Sequence, residues 1–279
     1  MSFKPDTPFF LPDHTVISLQ GPDAIAFAQA QFMNDVGALT RGQWQWNGWL
    51  SAKGRLLALF ALLRSEPDRL LAILRGGDAE AVAVQWRRFV FRSKLVVDVA
   101  SEITVGGVYG EQATTGTAGA LACLPLAGEP ARALCLFDRP PAPDAEASRH
   151  WRLADIAQGL PWLENSQIDT WTPQMLSLDR LAAFSVKKGC YPGQEIVART
   201  HFLGQAKRGL VRLGSTGAMA AGDEVSSDGR ALGKVVCAER SDEGWQALAV
   251  VPSDRPESLV VGNHAARQLP LLPSCPEPR

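Results

Sequence analysis

The sequence predicts an α+β core followed by a C-terminal all-β unit. Strand-like and helix-like segments alternate irregularly up to residue 203, and short strand candidates follow at even spacing after Gly204. The irregular alternation excludes a doubly wound parallel sheet. At 279 residues the chain is about twice an ordinary domain, so more than one packed unit is expected. The division is a core over 1–203 and a β unit over 204–279.

The first element is a strand, "HTVISL", leading into "QGPDAIAFAQAQF". There Pro22 suits a first helical position, Asp23 suits the positive end of the helix dipole, and Ile25, Ala28 and Phe32 share a face. "QWQWNGWL" and "RLLALFALLR" flank the turn "SAKG", and "RLLAILR" follows "SEPD", which predicts an antiparallel meander. Trp44 and Trp46 stand on one face of the first of these strands and read as sheet packing. Asp78 caps a helix expected to run through "AEAVAVQWRRFVF", and "SKLVVDV" and "ITVGGVYG" return to strand. "GEQATTGTAGA" and "DRPPAPDAEAS" read as loops, the second as a mobile surface connection tolerant of insertions. Beyond Gly204, "RGLVRL", "DEVSSDGRALGKVVCAER", "WQALAVVP" and "SLVVGN" read as a small β-barrel or sandwich, and "LPSCPEPR" as a frayed tail.

Composition narrows the function classes. A hydrophobic fraction of 46% with 20% charged residues is that of an ordinary globular protein. The longest apolar run, Leu56 to Leu63, is far short of the roughly 20 residues that cross a bilayer, so no membrane span is expected. The start lacks the pattern of a secretory signal, so the default compartment is the cytoplasm. A net charge of −1 offers no basic surface of the kind that grips phosphate backbones, so no direct nucleic-acid partner is expected. The five cysteines contain no C-x-x-C pair, which argues against a disulfide framework and a self-contained metal site. Cys123, Cys135 and Cys237 sit in apolar strand-like settings and read as packing. The four histidines show no metal-ligand spacing.

One stretch concentrates chemistry: "KKGCYPGQE", Lys187 to Glu195. Gly189 and Gly193 bracket Cys190, and Pro192 fits the first turn of a helix through "GQEIVAR", so the cysteine stands just before a helix N-terminus. The helix dipole together with Lys187 and Lys188 would favour thiolate over thiol. Two readings stay open, a reactive or ligand-holding thiol and a small buried hydrophobe. Glu195 and Arg199 are spaced as a surface i, i+4 ion pair. Alternatively, Gln194 and Glu195 recognise a heterocycle edge while Arg199 and Arg208 engage ligand carboxylates. Trp151 either stacks a flat ligand ring or anchors the core.

These residues resemble the YgfZ group of folate-binding proteins, relatives of the T-protein (aminomethyltransferase) of the glycine cleavage system. Lys188-Gly189-Cys190-Tyr191 and Gly193-Gln194-Glu195 match that group's K-G-C-[FY]-x-G-Q-E signature in full. The resemblance extends to "ISLQGPDAIAFAQAQFMNDV", "AKGR", "WRLADIAQGLPWL", "PQMLSLDRLAAFSVKKGC" and "ARTHFLGQAKRGL", nearly the whole chain. It implies a ring of two α+β subdomains and a C-terminal β-barrel around a central cavity for tetrahydrofolate. It also implies a role in assembling or repairing iron–sulfur enzymes, including radical enzymes that modify tRNA, with iron–sulfur proteins or their assembly factors as partners. By the same resemblance Cys190 is the functional thiol, and Trp151, Lys188, Tyr191, Gln194, Glu195 and Arg199 are on the folate side. Thr15 stands where an aromatic is expected, and Met33 replaces a common threonine. A T-protein also carries an acidic residue after its first hairpin turn, whereas "GRLLALFALLR" is apolar. The alternatives are therefore a folate-dependent one-carbon transferase and a non-catalytic interaction module.

Overall fold

The structure is a computed structural model that describes residues 7–204 and 206–273. In chain order the strands are β1 (Phe9–Phe10), β2 (His14–Gln20), β3 (Trp44–Leu50), β4 (Leu56–Glu66), β5 (Arg69–Arg75), β6 (Val96–Val99), β7 (Thr104–Tyr109), β8 (Ala122–Leu126), β9 (Arg132–Phe137), β10 (Arg208–Ser215), β11 (Glu224–Ser227), β12 (Arg230–Ser241), β13 (Gly244–Pro252), β14 (Leu259–Val261) and β15 (His264–Leu269). The helices are α1 (Ala24–Gln31), α2 (Ala79–Arg87), α3 (Gln112–Thr115), α4 (Ala145–Gln158) and α5 (Gln194–Leu203).

The first sheet has the order β3-β4-β5-β2-β6, and the predicted meander is its first three strands. Both of its faces are buried. Ile17, Leu19, Phe60, Leu62, Leu70 and Leu74 pack with Phe27 of α1 and Trp86 of α2. From the same strands Val16, Ala61, Leu63, Leu71 and Ile73 face the other way, toward a second sheet of order β1-β7-β9-β8. Two-sided burial explains why β4 and β5 read as unbroken apolar runs rather than alternating ones. The core between the sheets also holds Trp151 from α4. The third unit is a closed barrel, β10-β13-β12-β11-β14-β15, which settles the barrel-or-sandwich alternative. Its Asp228-Gly229 hairpin turn has φ of 49° and 74°, as a two-residue turn of that composition requires.

Several expectations need correction. The helix capped by Asp78, whose side chain accepts from the Ala81 N–H, ends at Arg87 rather than continuing through Phe91. Arg87 Nε donates to the Val97 carbonyl there, turning the chain toward β6. The first presumed loop contains α3. The second is no free connection: the Phe10 N–H donates to the Ala142 carbonyl, and Asp144 then caps α4 through the Ala147 N–H. In the presumed tail the Leu272 N–H donates to the Ala157 carbonyl, while residues 274–279, with Cys275, lie outside the described residues. Cys123 and Cys135 form a disulfide, against the packing reading, because the β8–β9 register sets them directly opposite. Their spacing of 12 residues carries no hint of that register. Cys237 is buried, as expected, and burial pushes its thiol up to about 12.

Candidate functional site

The KKGCYPGQE segment forms a loop locked at three points, with its cysteine on the outside. The first lock is Lys188. Its Nζ donates to the carbonyls of Gln29 and Phe32 at the C-terminal end of α1, each at 2.5 Å, and of Asn34 just beyond it at 3.0 Å. Burial lowers its pKa to about 8, against the pull of Asp35. The second lock is Ser185, whose Oγ accepts from the Lys187 and Lys188 N–H groups while its own N–H donates to the Met33 carbonyl. Tyr191 is buried beneath them, its hydroxyl donating to the Ser185 carbonyl, and burial raises its pKa to about 12.

The third lock joins two of the quoted motifs. Gly193, at φ 77°, starts α5 against the turn of "AKGR"; a Cβ on it would stand 2.4 Å from the Ser51 carbonyl oxygen and 2.7 Å from Gly54 Cα. Gly54, at φ 68°, meets Ile196 with equal closeness. Both positions need a left-handed backbone and the absence of a side chain.

Cys190 is an exposed free thiol at the tip of this loop. Gln194 fixes its surroundings. Oε1 accepts from the Tyr191 N–H at 3.0 Å, which leaves Nε2 facing Sγ at 3.7 Å. With its oxygen engaged, the amide offers the sulfur only a donor. Glu195 and Arg199 are exposed and form no ion pair with one another, so the surface-pair reading fails. Arg199 instead meets Arg208 and Lys207 in a cavity of about 560 Å³, with Thr172, Met175 and Thr200 also in its wall.

Trp151 takes the core position of its two readings. It is 1% exposed, packs edge-on against Phe9 and Tyr109, and lies under the Arg132 guanidinium at 4.7 Å. Met33 is likewise fully buried, against Gly48.

A second constellation was not picked out from the sequence. Arg75 at the end of β5 and Arg132 at the start of β9 both pair with Asp155 of α4, all three buried. Beside them lies a cavity of about 410 Å³ lined by Asp13, Thr15, Arg75, Arg152, Trp162 and Glu164. Arg75 stacks on Trp162 at 4.4 Å, and its Nη2 is buried without a hydrogen bond. Burial and the charges of Arg75, Arg132 and Arg152 hold the pKa of the neighbouring His14 well below 6.5. The signal for this cluster was Asp155 itself. A carboxylate four residues after Trp151, on the buried stripe of a helix, demands a cationic partner.

No family profile matches the chain. Curated relatives do: the tRNA-modifying protein YgfZ of Edwardsiella ictaluri is 29% identical over 94% of this chain and 90% of its own length. That of Klebsiella pneumoniae is 28% identical, covering 91% and 88%, and that of Serratia proteamaculans 29%, covering 98% and 93%. Among solved structures, glycine cleavage system aminomethyltransferase T from Bartonella henselae superposes with a TM-score of 0.69 at 19% identity, covering 96% of this chain and 85% of that one. Sequence and architecture agree: the chain is similar to the YgfZ proteins over nearly its whole length and has the fold of aminomethyltransferase T.

Proposed function

We propose that this chain is a tetrahydrofolate-binding accessory protein of tRNA modification, in which Cys190 is the working thiol toward an iron–sulfur enzyme or its assembly factor. The observation that carries this reading is the geometry of Cys190. An accessible sulfur with one donor aimed at it stands on a loop fixed by Lys188, Ser185 and the Gly54–Gly193 contact. A cysteine kept for packing would be buried, as Cys237 is.

The 410 Å³ cavity fits the folate part. Its size is within the range of small-molecule sites. Arg75 and Arg152 line it as guanidinium donors for a ring carbonyl, Asp13 and Glu164 accept from amino and ring N–H groups, and Trp162 supplies an aromatic wall. When bound, tetrahydrofolate supplies one-carbon chemistry. The chain's own part is to orient the ring edge and shield it. The one-carbon transferase reading has less support, because β4 presents Leu57, Ala58 and Leu59 and no general acid where a T-protein has a carboxylate.

The test has two arms. Thiolated nucleosides in tRNA should fall in a Cys190→Ala strain as far as in a deletion strain, and wild-type levels in both would refute the thiol role. Calorimetry with tetrahydrofolate should show binding that Cys190→Ser preserves and Trp162→Leu weakens by roughly tenfold, equivalent to about 1.4 kcal/mol. Loss of binding in Cys190→Ser would place the thiol at the ligand instead.

A further inference from the structure

Between residues 84 and 96 four apolar side chains are exposed: Val84, Phe91 and Val96 at 44%, 86% and 60% stand in the open, and Phe89, at 39%, rests edge-on against Trp49. Their exposure is not the looseness of a free loop, for the segment is pinned at both ends. Arg87 Nε donates to the Val97 carbonyl at 2.7 Å, the Ser93 N–H to the Val90 carbonyl at 2.8 Å, and the Lys94 N–H to Asp23 Oδ2 at 2.6 Å. The Lys94 carbonyl in turn seats on Gly21, 2.3 Å from where a Cβ would be. At the tip Phe91 has φ of 43°. A left-handed backbone costs a non-glycine residue about 1 kcal/mol or more, and here it is held while the most exposed of the described phenylalanine rings faces solvent.

The rim of this knob is cationic. Arg88 donates only to the neutral Gln85 Oε1, and among the described residues the side chains of Arg92 and Lys94 have no partner. The neighbouring carboxylates Glu80 and Asp98 are both taken by Arg87.

We propose that the 84–96 knob is a docking element for a partner protein that presents an apolar groove edged with carboxylates, with Phe91 as the anchor. Aromatic and arginine side chains side by side are the composition of interface hot spots. A second copy of this chain does not suit the knob, since two-fold pairing would bring Arg88, Arg92 and Lys94 against themselves. Protein is favoured over RNA because the chain carries a net charge of −1 and the knob presents one freely exposed ring, with Phe89 edge-on against Trp49, rather than a row on which successive bases stack. Four side chains cover far less than the roughly 800 Å² per partner of a standard stable interface, so the contact is a transient one. This inference stands apart from Cys190 and folate.

The experiment places the photo-crosslinker p-benzoylphenylalanine at position 91 of the full-length chain in cells, with position 230 on the barrel as control. The expected product is RNase-resistant, differs in mass from a dimer of this chain, and fades when Arg88, Arg92 and Lys94 are all changed to Glu. The protein identified in it, once purified, should bind the wild-type chain about tenfold or more tightly than the triple variant. All the changed residues are exposed, so the thermal midpoint of each variant should match wild type and folding does not confound the result. The inference is overturned by a yield no higher than at position 230, by an RNase-sensitive product, by a doubled mass, or by indifference to the charge reversal.

Discussion

Gln194 shows how one residue of a motif can serve another. The Tyr191 N–H holds its oxygen, so its nitrogen is turned to Cys190 Sγ, and the sulfur receives a donor and no acceptor. Replacing that donor by a carboxylate at the same place sets a negative charge against the sulfur. Gln194→Glu should therefore slow alkylation of Cys190 by iodoacetamide several-fold while leaving the circular dichroism spectrum unchanged; an equal rate would remove Gln194 from any role at the thiol. The presence of a chemically loaded cysteine was legible in the spacing of glycines and lysines around it, but the direction of its neighbours was not. Lys188, expected to favour the thiolate, gives all three of its bonds to carbonyls at and just beyond the end of α1. His14 makes the second residue-scale prediction. Its folded pKa is depressed below 6.5 by burial and by three arginines, so below that pH the unfolded chain binds the proton more readily than the folded one. The contribution of His14 to stability is therefore full above about pH 6.5 and is lost as pH falls below it. His14→Phe should flatten that part of the profile in urea unfolding, and an unchanged acid limb would show that carboxylates alone set it.

At the scale of elements, packing rather than propensity decided which expectations held. The strands of the first sheet and the barrel were legible because burial on two faces writes long apolar runs that helices of that length rarely show. Strand β13 is the clearest case: Ala247, Ala249 and Val251 fill the barrel while Leu248 and Val250 face the other units. Register was not legible, since it depends on which strands meet across the sheet, and the Cys123–Cys135 disulfide was missed with it. The charged cavity was missed because its members come from β2, β5, α4 and the segment after it, and no local spacing relates them. The coupling of α1 to the motif loop through Lys188 is testable. Lys188→Met leaves three carbonyls at and just beyond the end of α1 without their donor and should cost about 1.5–3 kcal/mol in urea unfolding. Lys188→Arg should restore little, because a planar fork does not match three carbonyls gathered around one point. Full stability in Lys188→Met together with weakened folate binding would mean that the residue serves the ligand rather than the fold.

At the scale of the molecule, one apolar cluster joins the first sheet, α4 and the motif region to the barrel. Leu56 and Leu59 come from the first sheet, Ile156 from α4, Trp171, Leu176 and Val197 from the motif region, and Leu210, Val236, Leu248 and Val250 from the outer face of the barrel. Polar contacts reinforce the same junction: Arg152 pairs with Glu239, and Arg149 with Asp242 at 3.0 Å. Asn34 ties the end of α1 to the Trp46 and Ala182 carbonyls, and the Leu210 N–H donates to Ser177 Oγ. A barrel that separated from the core would expose this whole surface to water, so the barrel has no route to independent melting. We expect a single thermal transition, the same by tryptophan fluorescence, far-ultraviolet circular dichroism and calorimetry. Leu248→Ala, on the barrel but facing the junction, removes buried volume that both sides share and should cost about 2–5 kcal/mol. It should lower that one midpoint for every probe together. Two transitions in the wild-type chain, or a Leu248→Ala effect confined to the barrel, would show that the units are merely neighbours. In that case the fixed position of Cys190 would have to come from the Lys188, Ser185 and glycine contacts alone.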